Sequence, residues 1–197
     1  MTERDCIAIE LARLLARVPE SFEPKSSLPS EKARAIGKSA TLRAAALSTG
    51  LALPKGVAGM LTVLPDLVAI WHIQTAMVAD IAACYGQSDK LDSPAMTFCL
   101  FKHMDENLIV DWFLPYERQL NLRPETNQML GKLIHTVAAR VSQRLLGRAI
   151  GRWVPFVSAL GLGALTAYDT DKVAETARLY FADKARLAVD TESLAAS

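Results

Sequence analysis

The sequence predicts an all-α, single-domain bundle of six or seven helices around a central hydrophobic helical pair. Three observations carry this. Alanine and leucine dominate while β-branched runs are few, which favours helix over strand. Apolar residues recur at spacings of three and four through most of the chain. Glycines and prolines fall mainly between those patterns, with no internal repeat and no βαβ rhythm. At 197 residues the chain can bury a substantial core as one domain.

A first helix fits 5–17, where Ile7, Leu11, Leu14 and Val18 recur every three or four residues beside Leu15. Residues 19–30 carry three prolines and read as a linker or extended arm. The organisation is thus an N-terminal helix and linker over 1–30, a helical domain over 31–190 and a flexible tail over 191–197. Ser30 is placed to cap the second helix, which stops at Gly50 and has an apolar face made mostly of alanine. Such a face lets a neighbouring helix approach closely.

Pro54-Lys55-Gly56 turns the chain, and 57–64 forms a short apolar helix. Pro65 suits the first turn of the next, where its missing N–H costs nothing, and Asp66 meets the orphan N–H groups there. That helix runs to Tyr85, with Gly86 as a left-handed terminator. Ser93-Pro94 gives a cap and first residue for a helix through Phe98, Phe101, Leu108 and Trp112. Pro124 opens a longer helix reaching about Arg152, and Trp153-Val154-Pro155-Phe156 breaks it. A small-residue helix over 158–168 and an amphipathic one over 172–189 complete the bundle. The apolar pair, 56–64 and 66–85, is expected to pack against 156–168.

Hydrophobic residues make up 51% and charged residues 22%, between the values of a soluble domain and a polytopic membrane protein. The mean hydropathy of +0.17 agrees. Net charge is only +1, but the charges are segregated. Residues 30–56 hold Lys32, Arg34, Lys38, Arg43 and Lys55 against Glu31, and 132–152 hold Lys132, Arg140, Arg144, Arg148 and Arg152 with no acid. The intervening 87–117 stretch is acidic. Local basic surface therefore survives a neutral total, as contact with an anionic surface requires. Cys6, Cys84 and Cys99 are far apart and read as buried thiols in a reducing compartment. The N-terminus is charged at once, so no signal peptide is expected and the chain is assigned to the cytoplasm or its membrane face.

Residues 56–79 also admit a membrane-span reading, 24 residues reaching roughly 36 Å as one helix. Pro65 would kink such a span, and Asp66 near its centre would cost about 2.5–3.5 kcal/mol. Two buried or interfacial helices meeting at Pro65-Asp66 is the reading favoured. Asp66 itself fits a helix N-terminal carboxylate, the alternative being an acid held to bind a partner, ion or headgroup.

Arg140, Arg144, Arg148 and Arg152 recur every four residues and form one stripe, with Trp153 and Phe156 following. A basic amphipathic helix ending in aromatics suits an anionic bilayer surface, with a solvated face or pairing with the acidic segment as the alternative. Gly147/Gly151 and Ala159/Gly163 are small-residue spacings that speak to helix packing. Gly161 to Thr166 follows no strand and lacks the third glycine of a dinucleotide loop. His72, His103 and His135 are scattered, and no P-loop, G-x-S-x-G or HExxH occurs. No catalytic residue, metal site, cofactor or nucleic-acid module is assigned.

With those residues laid out, the chain resembles the EcsC protein family, named after the third component of a bacterial ABC-transporter operon. The resemblance rests on LPKGVAGMLTVLPD, which includes Gly56, Pro65 and Asp66, then Gln74 and the ending DIAACYG with Tyr85 and Gly86. A second block, GRWVPFVSALGLGALTAYDTDKVAETARLYF, includes Pro155, Gly161 and Gly163. The chain departs from the family pattern at Pro54-Lys55-Gly56 and at Tyr168-Asp169, so no ligand role is carried to those positions. The resemblance implies an all-helical, often membrane-associated protein without established catalytic activity. The expectation is a non-enzymatic peripheral factor at the inner face of the cytoplasmic membrane, accessory to a transport or secretion system, with an anionic surface or membrane protein as partner. The alternative is a soluble cytoplasmic module that binds a partner protein.

Overall fold

The computed structural model describes residues 3–51, 63–104, 106–107, 109–110, 113, 131, 134–139 and 155–195. They form α1 (Glu3–Leu15), α2 (Pro29–Leu51), α3 (Val63–Cys84), a 3-10 turn (Ser88–Lys90), α4 (Ser93–Phe101) and α5 (Pro155–Ala195). Residues 106–107, 109–110, 113, 131 and 134–139 are also helical. No strand occurs among the described residues, and the architecture is an all-α bundle.

The C-terminal half of α3 is its axis. From Met77 to Tyr85 every residue except Asp80 is buried, the mark of a helix covered on all sides. Leu11, Leu14 and Leu15 of α1 reach the same core as Ile36 of α2, Met96 and Leu100 of α4, and Val173 and Phe181 of α5. Phe98 stacks on Phe113 at 4.3 Å, and Tyr180 meets both rings at 5.7 Å, fastening α4 to α5.

The tightest pairing is α2 against α5. Gly37 faces Ala174 and Thr49 faces Gly163, so the two helices run antiparallel. A Cβ on Gly37 would stand 2.9 Å from that of Ala174. The alanine face of α2 (Ala33, Ala40, Ala44) permits this approach as the sequence suggested, since no long side chain separates the backbones.

Several boundaries differ from expectation. Pro29 opens α2, so Ser30 lies in its first turn instead of capping it. Asp92, not Ser93, caps α4 by accepting the Ala95 N–H at 2.9 Å, with proline following in the first turn. α4 ends at Phe101 in a turn over 102–104 rather than continuing unbroken to Trp112. Val63 to Asp66 are continuously helical within α3, so no helix boundary falls at Pro65-Asp66. The rest of the expected 57–64 helix, Trp112, and nearly all of 114–154 lie outside the described residues.

The largest correction is α5. Helices over 158–168 and 172–189 are one continuous helix of 41 residues, extending through the expected tail to Ala195. Asp169-Thr170-Asp171 looks like a stop because such residues favour caps and turns. Thr170 is instead fully buried and accepts the Gln74 amide at 3.1 Å, so packing overrides local preference.

Candidate functional site

Arg140, Arg144, Arg148, Arg152 and Trp153, the residues expected to face a headgroup, lie outside the described residues, as does Gly56. The other motif residues are placed. Pro155 begins α5, and Gly161 is exposed on it with nothing near its Cβ direction. Gly163 is buried against Thr49, where a Cβ would collide with the Thr49 hydroxyl.

Gln74 is 5% exposed and binds Thr170, so its role here is to join α3 to α5. Gly86 has φ +69° and ends α3: its N–H donates to Ala83 at 2.8 Å and that of Gln87 to Ala82 at 2.9 Å. The Lys25 side chain lies across it, and the Ser26 N–H donates to the Cys84 carbonyl at 2.9 Å. The arm before α2 is therefore tied to the end of α3.

The structure brings together a set of charges that no single sequence motif announced. A groove of about 380 Å3 runs between α2 and α5 over a floor of Ala33, Gly37 and Ala174. Arg34 and Lys38 line it from α2, one helical turn apart. From α5 come Lys172 and Arg178, with Asp171 and Glu175. Lys172 Nζ and Glu175 Oε2 are 2.8 Å apart and largely cancel. Their hydrogen bond raises the lysine pKa and lowers that of the carboxyl, an exposed pairing worth little to stability. Arg34, Lys38 and Arg178 remain, faced by Asp171, and none of the three has an ion-pair partner among the described residues.

Arg34 and Arg178 act on the same third helix. Burial pushes the Tyr85 phenol up, and the two guanidiniums and a hydrogen bond from Ser30 pull it back. Arg34 and Arg178 thus both act, from α2 and from α5, on the residue that follows α3.

Outside the groove, the next turns of the same two helices expose apolar side chains. Leu42 stands one turn beyond Lys38, and Tyr168 one turn before Lys172. They are 71% and 59% exposed, and the Lys172 ammonium sits 5.9 Å from the Tyr168 ring centre. Leu165, also exposed, continues that side of α5. Beside the cationic groove, the same two helices therefore expose apolar side chains.

Arg34 and Lys38 were visible as part of the basic 30–56 stretch. Arg178 was not, because it lies 144 residues from Arg34 and only the antiparallel pairing of α2 with α5 joins them.

Elsewhere, a cleft of about 630 Å3 between α1 and α3 is lined by Glu10, Arg13, Arg17, Val68 and His72. His103 Nε2 lies 3.7 Å from Asp169 Oδ1. Among the described residues no three His, Cys, Asp or Glu side chains are grouped to hold a metal.

One described helical stretch, Leu67–Cys84, is long and apolar enough to cross a membrane by length and composition, and 56% of it is buried inside the protein. No protein-family model, curated protein or solved structure matches the chain.

Proposed function

We propose that the protein is a non-enzymatic, peripheral membrane-associated factor that lays its α2/α5 face on an anionic bilayer. The observation that carries this is the α2/α5 face, where Arg34, Lys38 and Arg178 line one groove and Leu42, Leu165 and Tyr168 are exposed on the same two helices. Cations seek the headgroup plane, and each contributes about 1 kcal/mol near an anionic surface. Exposed leucine and tyrosine beside them supply the apolar contact that interfacial binding adds to electrostatics.

A test is co-sedimentation with vesicles of neutral phosphatidylcholine alone and with added phosphatidylglycerol. Binding should require the anionic lipid and weaken as salt screens the charges. Arg34→Glu with Lys38→Glu should weaken it by about 2 kcal/mol or more, roughly thirtyfold. A protein that ignores anionic vesicles, or a double variant that binds as the wild type does, overturns the proposal.

A second reading, a soluble module that binds a partner protein, is favoured by the burial of α3. It predicts recovery wholly in the soluble fraction of cells. Membrane-bound protein released by high salt sinks it.

A further inference from the structure

The cationic groove has a narrower geometry than generic attraction to a charged surface needs. Arg34 comes from α2 and Arg178 from α5, on opposite sides of a floor made only of alanine and glycine. Gly37 is held bare by the approach of Ala174, so the floor between the two helices carries nothing longer than a methyl group. Lys38 adds a third cation on the α2 side. Glu175 is engaged by Lys172 and also feels Arg178, and Asp171 is the other acid lining the groove. At about 380 Å3 the groove lies in the size range of small-ligand sites.

A planar guanidinium presents paired N–H groups that match two phosphate oxygens, whereas an ammonium acts as a point charge. Two such forks and one ammonium exceed what a phosphodiester can use, since it offers two unbridged oxygens and one charge. A terminal phosphate carries three acceptor oxygens and a charge near −1.5 to −2 at neutral pH. Exposed Leu42 and Tyr168, one helical turn beyond Lys38 and Lys172 and outside the groove itself, suit the glycerol and acyl portions attached to such a phosphate.

We propose that the Arg34–Arg178 end of the groove is a specific site for a lipid phosphomonoester headgroup, phosphatidic acid being the simplest example. This rests on the membrane reading above and adds selectivity to it. Arg34 and Arg178 grip the phosphate oxygens from the two walls, Lys38 supplies the third positive charge, and the acyl chains lie toward Leu42 and Tyr168.

The experiment compares vesicles containing phosphatidic acid with vesicles containing phosphatidylglycerol, matched for surface potential. The wild type should bind the former about tenfold or more tightly, the scale of one charged hydrogen-bonded contact. Arg34→Lys with Arg178→Lys keeps the charge and removes the forks. It should lose that preference, the ratio of phosphatidic acid to phosphatidylglycerol binding falling to about one, with its helical circular dichroism unchanged. Equal binding to the two vesicles, or a preference that survives in the double variant, overturns the site and leaves peripheral binding standing. Failure to bind either vesicle overturns both readings. If soluble glycerol 3-phosphate stabilises the protein against heat while vesicles do not bind, the phosphate is not a lipid's and the proposal falls.

Discussion

The Cys84 thiol is fully buried, 3.1 Å from the Ile81 carbonyl, and burial raises its pKa from 9.0 to about 11. Burial pushes the Cys99 thiol up as well. An unfolded thiol loses its proton near pH 9.0 while the folded one keeps it, so this contribution is intact below pH 9.0 and is lost as pH rises toward 11. Cys84 should therefore contribute about 2 kcal/mol to the fall in urea-unfolding stability across that window, and Cys84→Ala should make the slope shallower while Cys99 keeps its own share. Native Cys84 and Cys99 should also resist iodoacetamide at pH 8, and peptide mass spectrometry after unfolding should find both modified. Burial of these thiols was legible from their dispersed positions. Gln74 was singled out from the sequence as well, but its partner Thr170 lies 96 residues away and no local pattern announces it.

At the scale of elements, helix existence was readable from apolar spacing and helix ends were less so. Gly86 ended α3 as expected because only a left-handed residue closes that turn readily. Asp92 displaced Ser93 as the α4 cap because either oxygen chemistry serves and the backbone decides which is used. The continuity of α5 was hidden by Asp169-Thr170-Asp171, whose caps-and-turns character counts for less than the packing of Thr170, Val173 and Ala174. The α2–α5 seam gives a direct test. Gly163→Ala drives a methyl into the Thr49 hydroxyl and should cost about 1–3 kcal/mol in urea unfolding. Thr49→Ala removes the obstructing atom, so the double variant should recover part of that loss. Strict additivity of the two changes would show that these helices do not meet there.

Across the whole molecule, α1 and the arm that follows it are integral to the bundle. Leu11 is fully buried, Ser21 donates to Asp80 at 2.6 Å, and Lys32 pairs with Glu23 at 3.1 Å. The proline-rich composition of 19–30, read as a linker or an extended arm, gave no sign that this segment is tied to the end of α3. Leu11→Ala should lower the stability of the entire cooperative transition by about 2–5 kcal/mol, measured by urea unfolding; an unchanged midpoint would mean that α1 is undocked. α5 carries a different consequence. Its 41 residues extend about 60 Å, yet burial is dense only over 163–181, whereas 186–187 and 189–191 are exposed. The same backbone hydrogen-bond pattern is thus guarded by packing in one part and by local helix–coil equilibrium alone in the other. In deuterated water, amides over 166–181 should exchange only when the whole bundle opens, while those over 186–191 exchange by fraying, orders of magnitude sooner. A single uninterrupted helix then records both the global stability of the protein and the weakness of a helix without neighbours.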